Sequence, residues 1–258
     1  MFAMSRSARI HLLVSLLALA GFACNLQTGS QPTVTPPLQA SEAVPTTVPT
    51  DIPVADLTTD VATLPYRDGF DGALGPGWTW LREDPAGWSL TELNGWLRIA
   101  LSTGSFFGTL PDNVLLRPAP AGDFDMRVQV MVTPESNFEF AGLLVYFSDD
   151  RVLQLGHAFS QGSPPSVGDG FYFDNIENGG AVGSNFADST SSGSVDTLRI
   201  VRVGTSYTAY FLGQEGVWIE MGSHSVQGQP ASVGLVASQA LQAGLYADFD
   251  QFELLAPE

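Results

Sequence analysis

The sequence predicts an all-β fold in which two antiparallel sheets pack as a jelly-roll sandwich. Runs such as residues 123–133 (DFDMRVQVMVT) alternate apolar and polar side chains with the two-residue step of a half-buried strand. Shorter, more uniformly apolar runs such as 141–148 (AGLLVYFS) fit strands that are buried on both faces. Turn-forming residues separate these runs, and no amphipathic pattern longer than two helical turns occurs.

The individual strands follow from the same two patterns. The alternating runs are residues 123–133, 198–203, 207–212 and 247–255. The uniformly apolar runs are residues 95–101, 141–148 and 233–238. Asn94-Gly95 and the sequence GQEG at 213–216 predict turns. Roughly a dozen short strands at this spacing are typical of a sandwich or jelly roll.

The first 23 residues have the three parts of an export signal. Arg6 and Arg9 form a positive n-region, and residues 10–20 (IHLLVSLLALA) form a short apolar run. A membrane-spanning helix needs about 20 apolar residues, so the length of this run argues against an uncleaved anchor. We therefore expect a signal peptide at 1–23 and an exported protein.

Cys24, the single cysteine of the chain, follows this signal directly. Its position resembles that of a bacterial lipobox, in which signal peptidase II cleaves the chain before a cysteine that carries a diacylglycerol. Gly21 departs from the usual Leu, and Ala18-Leu19-Ala20 also fits an ordinary A-x-A cleavage site. The favoured prediction is a lipid-anchored protein of the cell envelope, facing away from the cytoplasm, and the alternative is simple secretion.

Residues 24–65 form a predicted disordered linker. Residues 25–65 contain no aromatic side chain and are rich in Pro, Thr, Val and Ala. Such a segment cannot bury enough apolar area to offset its ordering entropy. Repeated prolines favour an extended conformation, so the linker is expected to hold a folded domain, residues 66–258, away from a membrane.

The charge of that domain limits its partners. Residues 66–258 carry 23 acidic side chains and eight Arg, a net charge of −15, and the chain has no Lys. This field repels nucleic acid and anionic lipid, so we expect contact with a membrane only through the lipid anchor. Neutral glycans remain compatible with it. The oligomeric state stays open.

Several segments together resemble the concanavalin A-like superfamily, and in particular the jelly-roll domains of bacterial β-xylosidases and their stand-alone relatives. The resemblance covers nearly all of residues 66–255 and implies two stacked antiparallel sheets with the first and last strands paired. It rests on residues 67–71 (RDGFD), 78–80 (WTW), 88–90 (WSL), 95–99 (GWLRI), 113–116 (NVLL), 124–130 (FDMRVQV), 141–146 (AGLLVY) and 247–252 (ADFDQF).

No catalytic residue is predicted. Glycosidases use two carboxyl groups about 5 to 10 Å apart. The Glu-x-Asp-x-x-Glu pattern that would place such a pair on one strand face is missing, because Glu135 and Glu139 are four residues apart and Asp149-Asp150 are adjacent. Asp248 and Asp250 do share a face, and without a matching Glu pair we expect them to be structural or metal-binding. His157, in an apolar run, is expected to be structural. The resemblance also implies a possible structural calcium ion between the first and last strands, with Asp68, Asp71 and Asp250 as its ligands.

A glycan-binding patch is the favoured function of the domain. Sugar-binding modules stack aromatic rings on pyranose rings and bond the hydroxyl groups through polar side chains. We expect the Gly/Ser-rich stretch 160–193 to form a loop that carries much of this patch. The candidate ligand-binding residues are Trp80, Tyr146, Arg151, Phe171, Tyr172, Phe173, Asp174, Asn175 and Asn178.

Two other functions stay open at this point. The first is a glycoside hydrolase or related sugar-processing enzyme on the same fold. The second is an envelope structural or protein-interaction domain without affinity for sugars.

Overall fold

The computed structural model describes residues 62–162, 167–189 and 195–258. The predicted signal peptide, Cys24 and the linker up to residue 61 lie outside the described residues. Within them, regular structure is almost entirely β-strand, apart from one 3-10 turn at Pro85–Gly87. This part of the chain contains no helix with the length and apolar character needed to span a bilayer.

Side-chain alternation explains the strands of the first sheet. In the strand Phe124–Met131, Phe124, Met126, Val128 and Val130 point inward and are fully buried. The sheet has eight strands. Their order across it is β13 (Trp218–Ser225), β12 (Ser206–Leu212), β11 (Asp196–Val203), β6 (Phe124–Met131), β15 (Tyr246–Leu255), β4 (Leu97–Ala100) and β3 (Trp88–Ser89), with β1 (Tyr66–Asp68) beside β15.

The second sheet has seven strands and packs on the first. The seven strands are, in spatial order, β10 (Gly180–Asp188), β9 (Gly168–Glu177), β8 (Arg151–Ser160), β7 (Phe140–Ser148), β14 (Ser232–Ser238), β5 (Val114–Pro118) and β2 (Thr79–Leu81). All strand pairs in both sheets are antiparallel. The predicted all-β sandwich is confirmed.

The last strand, β15, lies in the interior of its sheet. It pairs with β6 along one side and, along the other, first with β4 and then with β1. A β-bulge between Asp250 and Glu253 separates these two halves, and Gln251 there has a positive φ of 49°. The pairing of the first and last strands is therefore confirmed.

Two clusters of buried apolar side chains stabilise the sheets. The larger fills the space between them and includes Phe70, Phe124, Phe173, Phe249 and Phe252, all fully buried. The smaller lies on the opposite side of the seven-stranded sheet, which we call the outer face, where Phe106 from the loop 101–113 covers part of it. Members of the smaller cluster are Phe106, Val114, Leu116, Phe140, Leu144, Val152, Ala158, Tyr172, Ile176 and Val236.

Burial on both faces explains the uniformly apolar runs. The strands β7 and β14 have buried residues at consecutive positions, as predicted. The strand β4 does not, since its burial alternates between Leu97 and Ile99 inside and Arg98 and Ala100 half-buried. The prediction that residues 95–101 are buried on both faces is wrong.

The stretch 160–193 is also not the loop that the sequence suggested. Most of its described residues form the hairpin of β9 and β10. The turn is Asn178-Gly179, whose φ angles of 52° and 74° are those of the tight turn that matches strand twist.

His157 on β8 connects the two sheets. Its Nδ1 lies 2.7 Å from Asp196 Oδ2 at the start of β11, and its Nε2 lies 2.7 Å from Asp169 Oδ1 on β9. Burial disfavours the charged ring, but the bonds to the carboxylates of Asp196 and Asp169 outweigh this effect and raise the pKa of His157. This arrangement supports the prediction of a structural histidine.

Candidate functional site

A groove of about 500 Å³ opens on the outer face of the seven-stranded sheet. This volume falls in the range typical of small-molecule sites. Residues from four strands and four loops line it: Ser105, Phe107, Phe138, Phe140, Ala158, Phe159, Ser160, Gly162, Tyr172, Asp174, Ala181, Ser184 and Gln239.

The floor of the groove follows from strand alternation in β8, β9 and β10. Tyr172 and Asp174 are two residues apart on β9, so both side chains point to the outer face. Ser184 is the partner of Asp174 on β10. Tyr172 is fixed by a hydrogen bond of 2.9 Å that its hydroxyl donates to the Gly168 carbonyl oxygen. A Cβ atom at Gly156 would clash with the Phe140 ring, so the missing side chain lets that ring lie against the sheet.

Two exposed aromatic rings form the walls. Phe107 belongs to the loop 101–113 and is 37% exposed, and its carbonyl oxygen lies near Gly179 at the β9–β10 turn. Phe138 precedes β7 and is 53% exposed, and its backbone N–H donates to the Phe159 carbonyl oxygen at 2.6 Å. The two rings therefore reach the groove from different ends of the sheet.

The backbone of the groove is strained at two positions. Phe138 has a φ of 70° and Gln239 a φ of 67°, in the left-handed region that non-glycine residues avoid. Such conformations cost about 1–3 kcal/mol each and are concentrated at functional sites. An exposed Phe in this conformation does not serve the core, so its ring is available to a ligand.

Asp174 is the single acid among the lining residues and is mostly buried. Its Oδ1 accepts a hydrogen bond of 2.6 Å from Ser184 Oγ, and its Oδ2 accepts one of 3.3 Å from Gln154 Nε2. Burial raises the pKa of Asp174, and these two hydrogen bonds offset the effect only in part.

The predicted ligand-binding residues on β9 lie on two opposite faces of that strand. Tyr172 and Asp174 line the groove. Phe171 and Phe173 point the other way and are buried in the core between the sheets, so a role for them in stacking on a surface ligand is wrong. Asn175 shares their face and is also buried, and its Oδ1 has no hydrogen-bond partner among the described residues.

The other four candidates lie outside the groove lining. Trp80 packs on Trp88, with ring centroids 4.9 Å apart, beside the core. Arg151 donates from Nη2 to the Gln227 carbonyl oxygen at 2.8 Å. Asn178 shapes the β9–β10 turn.

Tyr146 completes this group of four. Its hydroxyl donates to Asp149 Oδ1 at 3.0 Å, and burial together with the Asp149 carboxylate raises its pKa to about 12. Its polar atom is thus engaged within the protein.

The sequence interpretation did not identify Phe107 and Phe138, the two aromatic walls of the groove. Phe106-Phe107 stands in a Gly/Ser-rich segment (STGSFFGTL), and Phe138 stands between Asn137 and Glu139. Aromatic residues in such polar surroundings are a detectable signal for a ligand-binding loop.

Asp68, one of the three acids of the predicted calcium site, accepts four hydrogen bonds within the protein. Its Oδ1 accepts the Phe70 N–H at 2.9 Å, and its Oδ2 accepts the Gly75 N–H at 2.8 Å, Trp78 Nε1–H at 2.7 Å and the Tyr66 hydroxyl at 3.1 Å. These bonds make the carboxylate a structural acceptor.

The remaining two acids of the predicted calcium site are close together. A Cβ placed on Gly69 would lie 3.2 Å from Asp71 Oδ2 and 4.0 Å from Asp250 Oδ1. Calcium takes six to eight oxygen ligands. Across 62–162, 167–189 and 195–258, no three His, Cys, Asp or Glu side chains are grouped to hold a metal. The calcium ion and its three acidic ligands therefore stay a prediction.

Residues 67–254 match the family described as the β-xylosidase C-terminal concanavalin A-like domain. Among solved structures, the Bacteroides ovatus xyloglucan PUL GH43B protein is 25% identical with a TM-score of 0.65, and the match covers 76% of this chain and 40% of that one. The Bacillus halodurans xylan β-1,4-xylosidase is 19% identical with a TM-score of 0.64, covering 75% of this chain and 40% of that one.

A smaller protein shares the fold over its whole length. The Bacillus licheniformis β-glucanase is 13% identical with a TM-score of 0.54, and the match covers 75% of this chain and 98% of that one. In contrast, this chain spans only about 40% of the length of the two larger proteins. No curated protein matches the sequence.

Proposed function

The chain belongs to the β-xylosidase C-terminal concanavalin A-like domain family, and on this basis we propose that it is a non-catalytic carbohydrate-binding module. Its ligand occupies the groove on the outer face of the seven-stranded sheet. The names of two similar structures mention xyloglucan and xylan. Plant cell-wall glycans of these two kinds are therefore the first ligands to test.

The observation that carries this proposal is the exposed ring of Phe138 in a left-handed backbone conformation. Folding alone favours neither an exposed Phe nor a positive φ at that residue. A sugar ring stacked on Phe138 and facing Phe107 would recover apolar contact that solvent does not supply. Asp174, Ser184 and Gln239 supply polar groups for hydroxyl groups in the same groove.

The test is binding of xylo-oligosaccharides and xyloglucan oligosaccharides, measured by calorimetry after a glycan array has identified the preferred ligand. Phe138→Ala should weaken binding about five- to tenfold, the loss of one aromatic contact of about 1–1.5 kcal/mol. Tyr246→Ala is the matched control, because Tyr246 is 46% exposed on the other sheet. Equal affinities of wild type and Phe138→Ala would place the binding site elsewhere. An array without hits, together with a stable protein partner, would favour the protein-interaction function.

Hydrolysis is the alternative that the groove supports less well. Asp174 has no second carboxyl group beside it among the residues that line the groove. Both the retaining and the inverting mechanism need an acid and a second carboxylate. Release of reducing sugar from the bound glycan, abolished by Asp174→Asn, would overturn the binding-only proposal.

We further propose that the domain is tethered to the outer side of a bacterial membrane through a lipid on Cys24. The linker of residues 25–65 would span up to about 130 Å if fully extended, which is far enough to reach an external polysaccharide. Metabolic labelling with a fatty acid and cell fractionation test this proposal. Cys24→Ser should abolish the label and release the protein into the soluble fraction.

A further inference from the structure

We infer that the groove is selective for uncharged sugars, and that the carboxyl group of Asp174 rejects ligands that carry uronic acids. This inference rests on the proposed function and adds to it a chemical class of glycan. It concerns only the groove on the outer face of the seven-stranded sheet.

The charges around the groove support it. No Arg and no His is among the residues that line the groove, whereas Asp174 lies in its floor. Arg side chains are engaged elsewhere: Arg127 and Arg199 both bind Asp125 on the other sheet, at 2.6 Å, and Arg151 lies 3.4 Å from Glu177. A sugar carboxylate in the groove therefore meets no cation among the lining residues, and His224 acts on Asp174 from outside them.

The small volume of the groove strengthens the effect of the missing cation on a charged ligand. Within about 500 Å³, a uronate would lie several Å from Asp174, in surroundings that are mostly aromatic and aliphatic. Apolar walls screen charge poorly, so repulsion and desolvation act on the bound anion together. The net charge of −15 on residues 66–258 acts in the same direction at longer range.

Asp174 can still bond a neutral ligand. Ser184 and Gln154 each donate one hydrogen bond to it, and a carboxylate offers about four acceptor sites. The remaining acceptor sites suit sugar hydroxyl groups. Burial raises the pKa of Asp174, and a nearby anion raises it further. Binding of a uronate at pH 7 therefore costs either the repulsion between two carboxylates or the protonation of one of them.

The experiment compares two ligands that differ by one charged branch: xylohexaose, and xylohexaose bearing one glucuronic acid branch. Calorimetry at pH 7 uses the full chain carrying Cys24→Ser, which cannot be lipidated. For wild type we expect the branched ligand to bind at least about tenfold more weakly. In Asp174→Asn the ratio of the two affinities should fall to within about threefold. This ratio is the readout, because the loss of an acceptor for sugar hydroxyl groups also weakens the binding of xylohexaose.

Two controls make the result specific. Glu220→Gln removes an exposed acid on β13 of the other sheet and should keep the wild-type discrimination. A glucose branch in place of the glucuronic acid separates charge from bulk, because it should bind like xylohexaose. If Asp174→Asn does not fold, Asp174→Ser provides a second neutral side chain.

The outcomes distinguish the inference from the function beneath it. If wild type binds neither ligand nor any neutral glycan, the proposed function fails, and the inference fails with it. If wild type binds both ligands equally, or if Asp174→Asn keeps the full discrimination, the inference alone is overturned.

Discussion

Replacing Asp68 by Asn tests whether this acid is a structural hydrogen-bond acceptor or a metal ligand. Its carboxylate accepts four hydrogen bonds, from the Phe70 and Gly75 backbone N–H groups, the Trp78 indole and the Tyr66 hydroxyl. An Asn side chain has the same shape but only one oxygen. Whichever way the amide turns, its NH₂ group faces at least one N–H donor.

The expected cost follows from that mismatch. In the better orientation the Phe70 N–H loses its acceptor, which costs about 1–3 kcal/mol for a buried donor. The remaining bonds lose their charge assistance, which roughly halves their strength. We therefore expect the free energy of unfolding to fall by about 2–4 kcal/mol, and Tm by about 4–16 °C for a domain of this size.

Urea-induced unfolding followed by tryptophan fluorescence measures this loss. Asp112→Asn is the matched control, because Asp112 is exposed, and it should change stability by less than about 0.5 kcal/mol. Both proteins are measured in calcium and in EDTA. A loss below about 1 kcal/mol, or one that disappears in EDTA, would refute the structural role.

Three further predictions use the same measurements. The raised pKa of His157 means that its links to Asp169 and Asp196 stabilise the fold fully below about pH 6.5, and that this contribution is lost as pH rises through the folded-state value. His157→Gln should therefore be less stable than wild type at pH 6, and the difference should shrink at alkaline pH; a constant difference would contradict the ion pairs. Phe138→Gly should leave the free energy of unfolding within about 1 kcal/mol of wild type, since relief of the left-handed strain offsets the flexibility of Gly, while glycan affinity falls. A loss of several kcal/mol would instead make its ring part of the core. Because the folded-state pKa of Asp174 is raised, wild type loses stability as pH rises through it, so Asp174→Asn should gain in Tm relative to wild type between pH 4 and pH 7. The opposite trend would show that the carboxylate is stabilising.

Alternation of side chains predicted most of the strands. Residues 198–203, 207–212 and 247–255 lie within β11, β12 and β15, because one face of each strand is buried and the other is not. The same rule shows that Phe171 and Asp174 lie on opposite faces of β9, but it does not tell which face meets the other sheet. The interpretation of 160–193 as a loop overlooked Asn178-Gly179, a local hairpin signal.

The groove itself could not be predicted from the sequence. Phe107, Phe138 and Tyr172 come from segments far apart in the chain, and only the tertiary fold brings them to one surface. The left-handed backbone of Phe138 follows from the loop before β7 and its bond to the Phe159 carbonyl oxygen. Likewise, the hydrogen bonds to Asp68 depend on the path of the chain around Gly75 and Trp78.

The place of β15 has a consequence for how the protein is made. Three strands, β1, β4 and β6, pair with β15, which begins at Tyr246 and follows all of them in the sequence. Until β15 is in place the eight-stranded sheet stays split, since β6 on one side and β4 and β1 on the other are joined through β15. Closure depends on contacts between residues nearly 190 positions apart, as in the pair Tyr66 and Leu254, so assembly is late and slow. Deletion of β15 would therefore divide the sheet in its interior and not only shorten it at an edge.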